Sequence, residues 1–182
     1  MKTENHKYNR KYYLRSAALL FAALFLVGAS APMRAYALSS EDYTQWKQGD
    51  PEWNESPAWS GGYSSFMANS GCWVTSVAML LRQYGVVEDE TFDPWECAAM
   101  LHAAGALTDG GDMVLSMVGE AFPGFDYAGS YSFSFSQLQE LFDQGYACSL
   151  LVNGGGHMVA VCAVYDDGTV QIMDPGGDSE WL

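Results

Sequence analysis

The chain has 182 residues, eight of them basic and 22 acidic, for a formal charge of −14. Apolar residues make up 49 % and aromatic ones 14 %, which is ample for a packed core and excludes an intrinsically disordered chain. So few Lys and Arg also exclude a protein that works by gripping phosphate, such as a nucleic-acid binder.

The basic residues are unevenly placed. Lys2, Lys7, Arg10, Lys11 and Arg15 open the chain, and the uncharged run "SAALLFAALFLVGASA" occupies residues 16–31. "AYA" at residues 35–37 has the small-x-small pattern of a signal-peptidase site. Together these predict a secretory signal peptide over residues 1–37, cleaved after Ala37, and a secreted product. The rival is an uncleaved anchor, since the run falls only a little short of the roughly 20 residues that span a bilayer. No later segment is apolar enough to cross a membrane. Residues 38–182 form one domain, with 21 acids against two bases, Lys47 and Arg82. Its easier partners are basic peptides or neutral polymers, and a monomer is expected.

Residues 38–71 are rich in Gly, Ser, Pro and Trp without helical periodicity, which predicts an ordered irregular segment. A helix is expected over residues 72–84, with Val74, Val77 and Leu81 on one stripe, Trp73, Leu80 and Tyr84 on another, and Gly85 as the stop. "DPWECAAMLHAAG" predicts a second, capped by Asp93 with Pro94 at its first position and Glu96 at the capping-box position. Residues 112–122 and the run "SFSQLQELFDQG" are a third and a fourth helix candidate. The period then changes: "YACSLLVN", "HMVAVCAVY" and "TVQIMD" are short, β-branched runs separated by "GGG" and "DDG". Helices followed by an antiparallel meander make an α+β fold.

Four cysteines lie beyond residue 37: Cys72, Cys97, Cys148 and Cys162. In a secreted protein an even number suggests disulfides. In a hairpin centred on Gly155, Cys148 and Cys162 would face each other, within reach of a bridge or simply as small buried residues. No CxxC pair is present and only His102 and His157 accompany the cysteines, so neither a metal nor another cofactor is expected.

Cys72 stands at the predicted start of a helix, where backbone N–H groups and the positive end of the dipole favour a thiolate and can hold an oxyanion. A nucleophilic thiol needs a base. His102 lies mid-helix among Ala and Leu, the setting of a structural histidine. His157 comes after "NGGG" at the start of a strand, fixed by the strand and beside an open turn. Asp174 ends the next strand in "IMDPGG", where it could orient His157 across a hairpin or merely initiate a turn. Cys, His and Asp in that order form a candidate triad.

"SGCWVTSVAMLL", "GGGHMVAV" and "IMDPGG" resemble the three blocks of the double-glycine, or bacteriocin-leader, peptidase-like family of papain-like cysteine peptidases. Its blocks read S-G-C-G-P-T-S-x-A-M, G-H-F-V-V-V and N-D-P, and its early block W-x-Q-x-D-P-x-W resembles "WKQGDPEW" here. The resemblance covers roughly residues 43–177. It implies a papain-like fold with Cys72 as nucleophile, His157 as base, Asp174 as orienter and Gln48, with Gln45 nearby, as side-chain oxyanion donor. Trp73-Val74 replace the usual Gly-Pro, and Met173 replaces the frequent Asn. No transporter domain follows in this sequence, so the double-glycine substrate is not carried over. Three readings stand open: a secreted thiol peptidase, a cell-wall peptide amidase using the same residues, and a catalytically silent peptide-binding domain whose cleft aromatics fill the pocket.

Overall fold

Five strands, β1 (Leu20–Val27), β2 (Phe125–Phe133), β3 (Ala147–Val152), β4 (His157–Val164) and β5 (Val170–Met173), form one antiparallel sheet in the order β2-β1-β3-β4-β5. They come from a computed structural model that describes residues 20–27, 44–53 and 66–182. The helices are α1 (Phe66–Ser70), α2 (Cys72–Gln83), α3 (Pro94–Ala103), α4 (Val118–Ala121) and α5 (Phe135–Asp143).

The two faces of the sheet bury different sets of side chains. On one face α2 and α3 pack Val74, Val77, Leu80, Leu81 and Leu101 against Ala160, Cys162 and Met173. On the other, α5 contributes Leu138 and Phe142 to a smaller core with Leu150, Val159, Val161 and Ile172. Period-2 alternation along β4 explains the split: 159 and 161 look one way, 160 and 162 the other.

Local signals account for most of these elements. Asp93 accepts a hydrogen bond from the Glu96 N–H at 2.8 Å, with Pro94 in the first turn, so α3 starts where the cap predicts. Ser134 and Gln137 form a capping box on α5. Gly85 has φ +64°, the left-handed geometry that ends α2 at little cost only for glycine.

Three expectations are corrected. Residues 112–122 are not one helix but a loop, a 3-10 turn at Leu115–Met117 and the short α4. The strand β2 adds to the predicted meander: "FDYAGSYSF" is interrupted by Gly129 and lacks the β-branched residues that mark the other strands. The hairpin between β3 and β4 is centred between Gly154 and Gly155, because Val152 pairs with His157 and Ser149 with Ala160. That register sets Cys148 opposite Val161, and a one-residue slip reverses the face. Cys148 therefore sits in the smaller core and Cys162 in the larger, too differently aimed to bridge. All four cysteines are free and buried.

The segment read as the apolar part of a signal peptide supplies β1. The predicted cleavage point after Ala37 lies outside the described residues. No helix among the described residues is long and apolar enough to cross a membrane.

Candidate active site

Cys72 is the first residue of α2. Gly71 ahead of it has no room for a side chain, since a Cβ there would strike the Met67 carbonyl, to which the Gly71 N–H is bonded at 2.9 Å. Within α2, Ser76 one turn on donates to the Met158 carbonyl at 3.2 Å. That bond ties the helix bearing Cys72 to the strand bearing His157.

His157 opens β4, straight after a turn in which Asn153, Gly154 and Gly155 all take positive φ. Such a run of left-handed residues suits the "NGGG" sequence and returns the chain directly onto β3. The His157 Nε2 lies 2.7 Å from Oδ1 of Asp174, the residue just after β5. The same Oδ1 accepts the N–H groups of Gly176 at 2.8 Å and Gly177 at 3.1 Å, so three donors fix the carboxylate. With Nε2 engaged, Nδ1 is the ring nitrogen left for the hydrogen bond between His157 and Cys72.

Burial alone would push the Cys72 thiol up. The His157 hydrogen bond and charge, with backbone N–H groups of Met158 and Trp73, outweigh it and hold the thiol below its ordinary range. His157 is raised to about 9, first by its hydrogen bond to Cys72, against burial, and then by Asp174. Opposite shifts in one hydrogen-bonded pair favour a thiolate beside an imidazolium over the neutral pair. The other cysteines lack such partners: burial pushes Cys148 and Cys162 up to about 12, and Cys97 rises as well.

An open cleft of about 390 Å³ lies against Cys72, lined also by Trp73, Met113, Leu115, Gly155 and Gly156. Trp73 thus lines the cleft and does not fill it.

Gln48 reaches the loop after Asp174 from a tight turn. Trp53 is 3 % exposed and its indole N–H bonds the Lys47 carbonyl at 2.7 Å, while Trp46 packs edge-on against Trp53 and Phe92. The two tryptophans anchor the turn and leave Lys47 and Gln48 facing the Asp174 loop. Gln48 donates its backbone N–H to Pro175 at 2.8 Å and its side-chain Nε2 to the Ala68 carbonyl at 2.6 Å. It is thus bracketed between α1, just ahead of Cys72, and the loop bearing Asp174, with one amide hydrogen uncommitted by those bonds. His102 lies elsewhere, paired with Asp109 at 2.8 Å at the end of α3.

Three contributors are not evident from the sequence: Lys47, Ser76 and Gly176. All stand inside the family blocks, but nothing in residue type alone separates them from ordinary surface or turn residues.

A model of the Peptidase_C39 like family matches residues 42–181. The chain belongs to that family. It is a papain-like cysteine peptidase of α+β fold, a hydrolase acting on peptide bonds. No curated protein and no solved structure matches it.

Proposed function

We propose that the chain is an exported thiol peptidase in which Cys72 attacks a peptide carbonyl, His157 moves the proton and Asp174 holds His157. The observation that carries this reading is the continuous path from the Cys72 sulfur through His157 to Asp174 at the wall of an open cleft. The imidazolium next to the thiolate is already placed to protonate the departing amine. After acyl transfer, His157 in its neutral form draws a proton from water, and the resulting hydroxide equivalent releases the acyl group from sulfur. The free amide hydrogen of Gln48 and backbone N–H groups near the start of α2 are the donors proposed for the oxyanion.

Export and release after Ala37 are inferred from the basic start, the apolar run and the AYA site, and they fit an acidic domain working outside the cell. The test is to incubate wild type and Cys72→Ala with a peptide library and with purified peptidoglycan. Cleavage of library peptides by wild type alone is expected. Cleavage confined to peptidoglycan would assign an amidase of cell-wall peptides, and wild-type products matching those of Cys72→Ala would end the reading.

A further inference from the structure

Lys47 makes an unusual set of contacts for a surface lysine. Its Nζ donates to the Asp174 carbonyl at 3.0 Å and to the Gly177 carbonyl, and stands 3.8 Å from Asp178. Asp178 is fully exposed, so that ion pair contributes little. The two carbonyl bonds are different, because they cross from residue 47 to the loop that carries Asp174.

That loop needs an external hold. The β4–β5 ladder ends at the pair Ala160–Met173, and the chain returns to the sheet only at Glu180, whose carbonyl accepts the Ile172 N–H at 2.9 Å. Between those points, turn bonds to the Asp174 carboxylate fold the loop on itself, and its hold on His157 is the carboxylate–imidazole contact whose geometry the loop must keep. Lys47 and Gln48 supply the external hold: two bonds from the ammonium and one from the Gln48 N–H to Pro175. The Lys47 backbone is itself immobilised, its carbonyl accepting from Asp50 at 3.1 Å and from Trp53 at 2.7 Å.

We infer that Lys47 is a positioning residue: it fixes the backbone of residues 174–177 so that the Asp174 carboxylate holds the His157 ring in register with Cys72. This rests on the thiol–imidazole reading given above. It assigns a task to one of the two basic residues beyond residue 37, the other being Arg82, which bonds the Asp89 carbonyl on the surface.

The experiment uses the full chain with Lys47→Met, Lys47→Arg, Asp174→Asn and the double Lys47→Met/Asp174→Asn. The readouts are the rate of Cys72 alkylation by iodoacetamide at neutral pH and the titration midpoint of His157 by NMR. The titratable groups facing His157 are Cys72 from α2 and Asp174 from the loop after β5.

Lys47→Met is expected to slow alkylation about 10-fold, of the order that a misplaced supporting group costs, and to lower the His157 midpoint from about 9. The direction of that change discriminates, because merely deleting a nearby positive charge would raise the midpoint. Lys47→Arg should recover most of both. The double variant should react like Asp174→Asn alone, since Lys47 acts through Asp174. Losses that multiply in the double variant, an unchanged midpoint or a raised one would overturn the inference. If Lys47→Met fails to fold, Lys47→Gln serves with the same readouts, expected between Arg and Met. Slow alkylation of wild-type Cys72, no faster than free cysteine, would instead strike the peptidase reading, and the His157 midpoint would still judge Lys47.

Discussion

Gly176 lies against the His157 ring, so close that a Cβ on Gly176 would stand 2.7 Å from Cε1 and 3.1 Å from Nε2. Gly176 stands past the end of the β4–β5 ladder, so the contact is made by the loop that folds back around the Asp174 carboxylate. Only a glycine lets the backbone of the Asp174 loop approach the imidazole face this closely. The constraint is steric, because Gly176 is not among the glycines with positive φ.

Gly176→Ala should therefore displace the ring or the loop. Cys72 alkylation is expected to fall by roughly 10- to 100-fold, the range for a small misplacement of catalytic groups. Thermal unfolding should move little, since the residue is exposed and outside the two cores. Gly177→Ala meets the Asp174 Oδ2 at 3.0 Å and should cost less. Wild-type reactivity in Gly176→Ala would show that the ring can move without consequence.

The opposite shifts of Cys72 and His157 give a pH signature. His157 is raised to about 9 by its hydrogen bond to Cys72 and by Asp174, so the imidazolium is lost as pH climbs through that value. Against burial, Cys72 is lowered by its hydrogen bond to His157 and by backbone N–H groups, so its thiolate forms at lower pH than an ordinary thiol's. Peptide hydrolysis needs both charged partners and is expected to be bell-shaped, with an alkaline limb near pH 9. Alkylation needs only the thiolate and should not fall on that limb. In His157→Ala the alkylation profile should move to higher pH, as the main lowering influence is gone. The limbs belong to the coupled pair, not to either residue alone. An alkylation profile identical in wild type and His157→Ala would contradict the ion pair.

Gln48→Ala tests the oxyanion donor. The expected result is a kcat lower by roughly 10²- to 10³-fold with KM little changed on a cleaved library peptide. An effect on KM alone would place Gln48 in substrate binding.

Much of this arrangement is legible in the sequence because strong local signals agree. The Asp93 cap, the Ser134 capping box and the glycine stops mark α3 and α5, and β-branched runs between glycine turns mark β3 to β5. The Cys72, His157 and Asp174 blocks are readable as a group because each sits at the end of an element, where a side chain can point out of the core. Geometry that depends on a single residue is not legible in the same way. The position of the hairpin centre cannot be read from "VNGGGH", since four loop residues give the same composition for either register. The cross-strand partner of Cys148 depends on that one-residue choice. Lys47 is visible only as a rare charge, and its use of backbone carbonyls carries no sequence mark.

The free thiols give a further prediction. Cys72 should be the one fast-reacting cysteine, while Cys97, Cys148 and Cys162, all buried with raised pKa, should label only after unfolding. Mass mapping without reductant should find no disulfide. A Cys148–Cys162 bridge would require these residues to leave opposite faces of the sheet, and finding one would refute the register.

The strand Leu20–Val27 makes the most demanding prediction, because the same residues serve as the apolar part of the proposed signal peptide. In the sheet this strand pairs with β2 on one side and β3 on the other, and Ala23, Leu24 and Phe25 are buried. Phe25 stacks on Phe125 with ring centroids 4.7 Å apart. The segment cannot lie in a membrane and in the sheet at once, so removal after Ala37 must leave a gap between β2 and β3. Both neighbours are antiparallel to β1 and hence parallel to each other, separated by about two strand spacings, roughly 9.6 Å. Burial of Leu24 and Phe25 would be lost, at about 1.5–3 kcal/mol each. A chain of residues 38–182 is therefore expected to unfold at lower temperature than the full chain, with faster amide exchange in β3. Its Cys72 should still alkylate at close to the full-chain rate, because β4 and the Asp174 loop lie beyond β3 from the gap, although α2 shares its core with Ala23 and Phe25. Equal stability and equal protection of β3 would mean that β2 closes onto β3 once the leader is gone. Loss of Cys72 reactivity would instead show that β1 supports the site as well as the sheet.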